Sequence, residues 1–184
     1  TEESPKRVKV EDDSVREMPP VIHFEDQVVG LTKSAIVTGL AAVLELQCSR
    51  NTVHEPIDLG MRGTDTLALF NSSFKQKFGL DFYVRRLMQY LDCSNAVFVV
   101  AFCYLDRIQS QQKNAKITSL NVHRMLMTAA LLAAKYLDDD TYTNRYYARV
   151  GGVPSLAEMN MLESRMLQLL NWRLDVSPAS LRYY

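Results

Sequence analysis

The residues best suited to chemistry gather over one short stretch: Lys135, then three consecutive carboxylates, Asp138, Asp139 and Asp140. A cation beside a run of carboxylates can serve a metal, an acid–base reaction or the grip on a polypeptide partner. The metal option fails on spacing. D-x-D-x-Y-x-N over 138–144 imitates the start of a calcium loop. Its sixth position is Thr143 rather than glycine, and its twelfth is Arg149 rather than glutamate. The catalytic option lacks companions. There is no G-x-S-x-G, Walker loop or kinase signature. His123 has Met127, not a second ligand, four residues on, so it reads as a hydrogen-bonded packing residue. Cys48, Cys93 and Cys103 are scattered without CxxC spacing, which gives no disulfide framework and no zinc site. Free thiols fit a reducing compartment, nucleus or cytoplasm. The expectation is a protein without cofactor, metal or catalysis, whose acidic turn and lysine form a docking surface.

The element that positions them is a helix apolar on nearly every face. Leu120, Val122, Met125 to Met127, Ala129 to Ala134, Tyr136 and Leu137 leave it few solvated positions. Such a helix belongs at the centre of other helices. Lys135 stands in its last turn, where a cation offsets the negative helix end. The three aspartates follow that end, where carboxylates are unfavourable, so they need compensation or a function. The N-terminus of the next helix, near Asn144, offers compensation.

The flanking pattern is helical throughout. One helix is predicted from about Thr32 to Cys48, and a short one over Leu67–Phe74. A helix with Phe82, Leu87, Met88 and Leu91 stops near Asp92–Cys93, and Ser94 caps the next, which carries Val97 to Ile108. Thr118 or Ser119 caps the apolar helix. Asn144 caps a short helix ended by Gly151 and Gly152. Ser155 and Glu158 match a capping box opening a last helix, with Leu156, Met159, Leu162, Met166 and Leu169 at helical spacing. Trp172, Tyr90 and Phe98 are expected in the core. No strand is expected, so the fold class is all-α.

The chain has 184 residues, with 21 basic and 21 acidic. A nucleic-acid partner is excluded by the lack of a basic stripe. A membrane span is excluded by the lack of an apolar run of roughly 20 residues. The start, TEESPKRVKV, shows no signal peptide. Residues 1–22 read as a disordered tail and 23–64 as an N-terminal helix and loop, with Pro56, Gly60 and Gly63 in the loop. Ser4-Pro5-Lys6-Arg7 matches a proline-directed phosphorylation site at Ser4, and PKRVKV resembles an import signal.

Five helices between about 80 and 172, with this punctuation, resemble the cyclin box. The matching segments are YVRRLMQYLDCS (83–94), YLDR (104–107), SLNVHRMLMTAALLAAKYLDD (119–139), YTNRYYARVGG (142–152) and EMNMLESRMLQLLNW (158–172). The combination is similar to the P/U-type cyclins, typified by phosphate-signalling cyclins of fungi. The resemblance covers residues 65–176 and leaves 177–184 as a C-terminal tail. It implies a five-helix box with flanking N-terminal helices and a regulatory subunit that binds and activates a cyclin-dependent kinase. It implies that Lys135 hydrogen-bonds backbone carbonyls of the kinase and that Glu163 works with it. It makes Arg86 and Asp106 a buried pair tying the first box helix to the second, with Arg85 as the alternative arginine. One of the three aspartates would meet arginines of the kinase. The rival reading is a cyclin-fold adaptor that binds other proteins without a kinase.

Overall fold

The computed structural model describes residues 32–51, 67–112 and 114–177. These form six α-helices and one 3-10 turn, with no strand among the described residues: α1 Lys33–Arg50, the turn Ala68–Phe70, α2 Leu80–Tyr90, α3 Asn95–Gln111, α4 Val122–Leu137, α5 Asn144–Gly151 and α6 Leu156–Leu169. The all-α expectation and the five-helix box, α2 to α6, are observed. Ser4 and the 1–22 tail, most of the 50–64 loop and nearly all of 177–184 lie outside the described residues.

α4 is the axle. Val122, His123 and every residue from Met125 to Ala134 are buried. It packs against α2, α3, α5, α6 and the 3-10 turn, most extensively against α3. Alanines at 129, 130, 133 and 134 keep its surface shallow, which lets neighbours approach closely. The one charge inside this run is Arg124. Its guanidinium donates to the carbonyls of Leu69 (3.4 Å) and Asn71 (3.5 Å) and pairs with Glu158 of α6. One side chain thus ties the 3-10 turn, α4 and α6 together.

Several helix ends differ from those expected. The short helix expected over Leu67–Phe74 is only the turn Ala68–Phe70. Neither Thr118 nor Ser119 is the N-cap of α4; that position is Asn121. The Asn121 side chain accepts from the Thr118 N–H (2.8 Å) and donates to the Lys116 carbonyl (3.0 Å), and so shapes the turn that leads in. Ser94 is the N-cap of α3, but its hydroxyl makes no capping bond. The capping box of α6 is half formed. Ser155 Oγ accepts from the Glu158 N–H (3.1 Å), while the Glu158 carboxylate is spent on Arg124. Gly152 ends α5 in the left-handed region, φ 71°, as the Gly-Gly pair implied.

Arg86 makes a different tie from the expected one to Asp106. Its Nε donates to the Val150 carbonyl (3.0 Å), and its guanidinium lies over the Tyr90 ring. Tyr83 Oη donates to the neighbouring Gly151 carbonyl (3.0 Å). The last carbonyls of a helix lack partners and carry its negative end, so a cation and a phenol from α2 satisfy the end of α5. Arg85 pairs with Asp81 on its own helix. Asp106 is half-buried on α3. Of the other YLDR residues, Tyr104 donates to the Leu174 carbonyl (2.8 Å), and Arg107 to the carbonyls of Arg173 (2.6 Å) and Asp175 (2.7 Å). That segment after α6 is thereby strapped to α3. Phe98 is core, but Trp172 is 68% exposed, Phe82 56% and Tyr90 45%.

His123 packs edge-on against Phe78 and Tyr83, and its Nε2 has no hydrogen-bond partner. It is a packing residue, as expected, but that ring nitrogen goes unsatisfied. Burial lowers its pKa from 6.5 to about 4. The unfolded chain therefore takes up a proton on this ring as pH falls through 6.5, while the folded chain resists until about 4. Stability contributed by the neutral ring is present above pH 6.5 and is lost on going down to about 4. Urea unfolding across that window should show stability falling with acidity, and His123→Phe should flatten the slope.

Candidate docking site at the end of the buried helix

α4 leaves the core at Lys135, and α6 crosses beside it. Lys135 Nζ donates to Glu163 Oε1 at 2.7 Å. The two side chains are 36% and 18% exposed, so the pair sits at the rim of the core, open on the lysine side. Glu163 Oε2 accepts from Asn144 Nδ2 at 2.6 Å. The same amide nitrogen donates to Asn160 Oδ1 at 2.8 Å. Three elements therefore meet in one polar junction: the last turn of α4, the first residue of α5 and one face of α6. An ammonium has three hydrogens. One is committed to Glu163, and two remain for an incoming acceptor. With its charge balanced by Glu163, the lysine is suited to carbonyl oxygens as well as to anions.

Asn144 was expected to cap α5. The N-cap is Thr143, whose side chain makes no capping bond. The Asn144 amide is turned to α6 instead. No local pattern announces this, because its partners lie 16 and 19 residues further on.

The acidic turn divides. Asp138 is half-buried, and its Oδ2 accepts from the Ser94 N–H (3.4 Å) at the start of α3. The compensation for its place after a helix end is a helix N-terminus, but that of α3 rather than α5. Asp139 and Asp140 are exposed. Asp138 and Asn144, the first and last acceptors of the calcium-like spacing, thus serve different elements, and among the described residues no three or more of His, Cys, Asp and Glu gather as a metal site. Tyr136 is exposed next to Lys135, and Leu167 is half-buried one turn beyond Glu163. Tyr142 is stacked on Tyr146 at 4.1 Å between ring centres.

The thiols are unsuited to nucleophilic work. Burial pushes Cys48 and Cys103 up to about 11. Burial and then the Asp138 charge push Cys93 up to about 12. At neutral pH all three stay protonated, and the thiolate is the reactive form.

A family model described as Cyclin matches residues 26–174, most of the chain. The chain belongs to the cyclin family. This cyclin is 36% identical to Cyclin-U4-1 of Arabidopsis thaliana over 151 residues, which is 82% of this chain and 73% of that one. It is 36% identical to Cyclin-U1-1 of the same plant over 162 residues, 88% and 75% of the two chains. It is 34% identical to Cyclin-P4-1 of Oryza sativa subsp. japonica over 149 residues, 81% and 70% of the two chains. It is thus a cyclin of the P/U type, and a cyclin's regulatory role comes with that membership. No described helix is long and apolar enough to cross a membrane.

The division of the acidic turn can be tested on the cyclin alone. A carboxylate at a helix N-terminus contributes about 0.3–1 kcal/mol. Asp138→Asn should lower unfolding free energy by up to about that amount, whereas Asp139→Asn and Asp140→Asn should leave it unchanged in urea titrations.

Proposed function

We propose that this cyclin is a non-catalytic regulatory subunit that binds and activates a cyclin-dependent protein kinase. The observation that carries the reading is the Lys135–Glu163 pair, already formed at the rim where α4 and α6 emerge. Exposed Tyr136 beside it and exposed Asp139 and Asp140 beyond it make one surface of apolar and charged groups. In mechanism, the two free hydrogens of Lys135 bond main-chain carbonyls of the kinase. The cyclin then holds the kinase's mobile C-helix inward. That places the helix's glutamate against the ATP-binding lysine, a pairing that active protein kinases require.

The pair is open enough to water that it adds little to folding; exposed ion pairs contribute about 0–1 kcal/mol. Its removal therefore separates docking from stability. Affinity capture of a cyclin-dependent kinase, followed by a phosphorylation assay, tests the reading directly. Lys135→Ala should weaken capture severalfold while moving the melting temperature little. Equal losses of binding and melting temperature would make Lys135 a folding residue. Capture of other proteins with no kinase would favour an adaptor.

Asp139 and Asp140 enter the same proposal as the acidic contribution to activation. A carboxylate facing arginines supplies part of the charge that a phosphate on the activation loop supplies, since both pair with guanidinium groups. Asp139→Asn/Asp140→Asn should lower kinase turnover at saturating cyclin while the complex still forms. Full turnover at saturation would remove the acidic turn from the mechanism.

A further inference from the structure

The amide of Asn144 is placed in a way that helix formation does not explain. It occupies the first position of α5, whose N-cap Thr143 contributes no side-chain bond. An asparagine at such an end ordinarily satisfies nearby backbone groups. Here its Nδ2 reaches across to α6 and divides its two hydrogens between Glu163 Oε2 (2.6 Å) and Asn160 Oδ1 (2.8 Å). Asn160 and Glu163 are three residues apart, hence on one face of α6. Glu163 in turn presents its other oxygen to Lys135 at 2.7 Å.

We propose that Asn144 is the positioning residue of the docking surface, fixing the Glu163 carboxylate so that the Lys135 ammonium is held ready for its partner. This rests on the kinase-docking reading and deepens it. A glutamate has three side-chain torsions, and a lysine four. Left alone, each samples several rotamers, and a partner must arrest that motion when it binds. With one carboxylate oxygen on the Asn144 amide, the carboxylate plane is set, and the second oxygen faces a single direction. The lysine follows. Asn160 acts on the amide itself. By taking the second hydrogen, it prevents the amide from rotating away from Glu163. The junction forms before any partner arrives, so the ordering cost is met during folding.

The substitution that separates positioning from folding is Asn144→Asp. It keeps the shape of the side chain. At the first position of a helix a carboxylate is favourable, which offsets part of the repulsion it meets from the Glu163 carboxylate. At the junction the same change replaces a donor with an acceptor, facing the Glu163 oxygen and the Asn160 oxygen. Binding therefore loses more than stability does by one atom exchange.

The test uses the full cyclin and the cyclin-dependent kinase recovered in the capture experiment above. Affinity, melting temperature and the NMR signal of the Lys135 ammonium are measured together. For Asn144→Asp we expect affinity to fall by about tenfold, the scale of losing one charge-assisted bond. The melting temperature should change little, and the Lys135 ammonium hydrogens should exchange with water faster than in the parent. Asn144→Ala should fall between parent and Asn144→Asp in affinity. The double change Asn144→Ala/Glu163→Ala should bind no worse than Glu163→Ala alone, because Asn144 acts only through Glu163. If Glu163→Ala weakens binding but Asn144→Asp binds like the parent, positioning by Asn144 is overturned and the docking site stands. If affinity and melting temperature fall together in Asn144→Asp, the residue is structural and the proposal is overturned. If the parent captures no kinase, or Glu163→Ala and Lys135→Ala bind normally, the docking reading fails and this proposal with it.

Discussion

A helix with no solvent face must find a neighbour for every side, and that requirement organises this molecule. From Met125 to Ala134 nothing on α4 reaches water. Isolated, the segment would expose a continuous apolar cylinder; enclosed, each buried leucine or methionine contributes about 1.5–3 kcal/mol. α2, α3, α5 and α6 all pack against it. Their own apolar faces are dictated by what they must cover.

Polar contacts in this fold concentrate where helices end. The acceptors are main-chain carbonyls: Val150 and Gly151 at the close of α5, Arg173 to Asp175 after α6, Leu69 and Asn71 around the 3-10 turn. The donors are arginines and tyrosines from other elements. A side chain bonded to a carbonyl depends on the neighbour's backbone path rather than on its residue type. Such ties leave little trace in a sequence. This is why Arg86 was read as the partner of Asp106 and was instead found on Val150.

What could be read from the sequence was whatever is local or periodic. The buried helix, the Gly151–Gly152 stop and the Ser155 cap depend on residues within a few positions of one another, and all three are observed. Lys135 and Glu163 were paired by resemblance to a family, and the structure brings them together. Asn144 escaped because its partners lie on another helix. Trp172 and Tyr90 were assigned to the core on residue type alone. Type gives hydrophobicity but not direction, and both side chains point outward. The Asp138 carboxylate bonds at the N-terminus of α3, not at that of α5, which is nearer in sequence.

The chain leaves α6 through two consecutive non-glycine residues in left-handed conformation, Asn171 (φ 51°) and Trp172 (φ 60°). Each such residue stores strain. The strain is offset by the Asn171 and Trp172 N–H groups, which donate to the Gln168 (3.0 Å) and Leu167 (2.9 Å) carbonyls, and by Tyr104 and Arg107, which pin the next residues to α3. With these carbonyl bonds closed, α6 cannot add another turn, and the indole of Trp172 is held out in water. The geometry at the end of α6 is thus set from two sides, by closing bonds to the carbonyls of Leu167 and Gln168 and by the strap to α3.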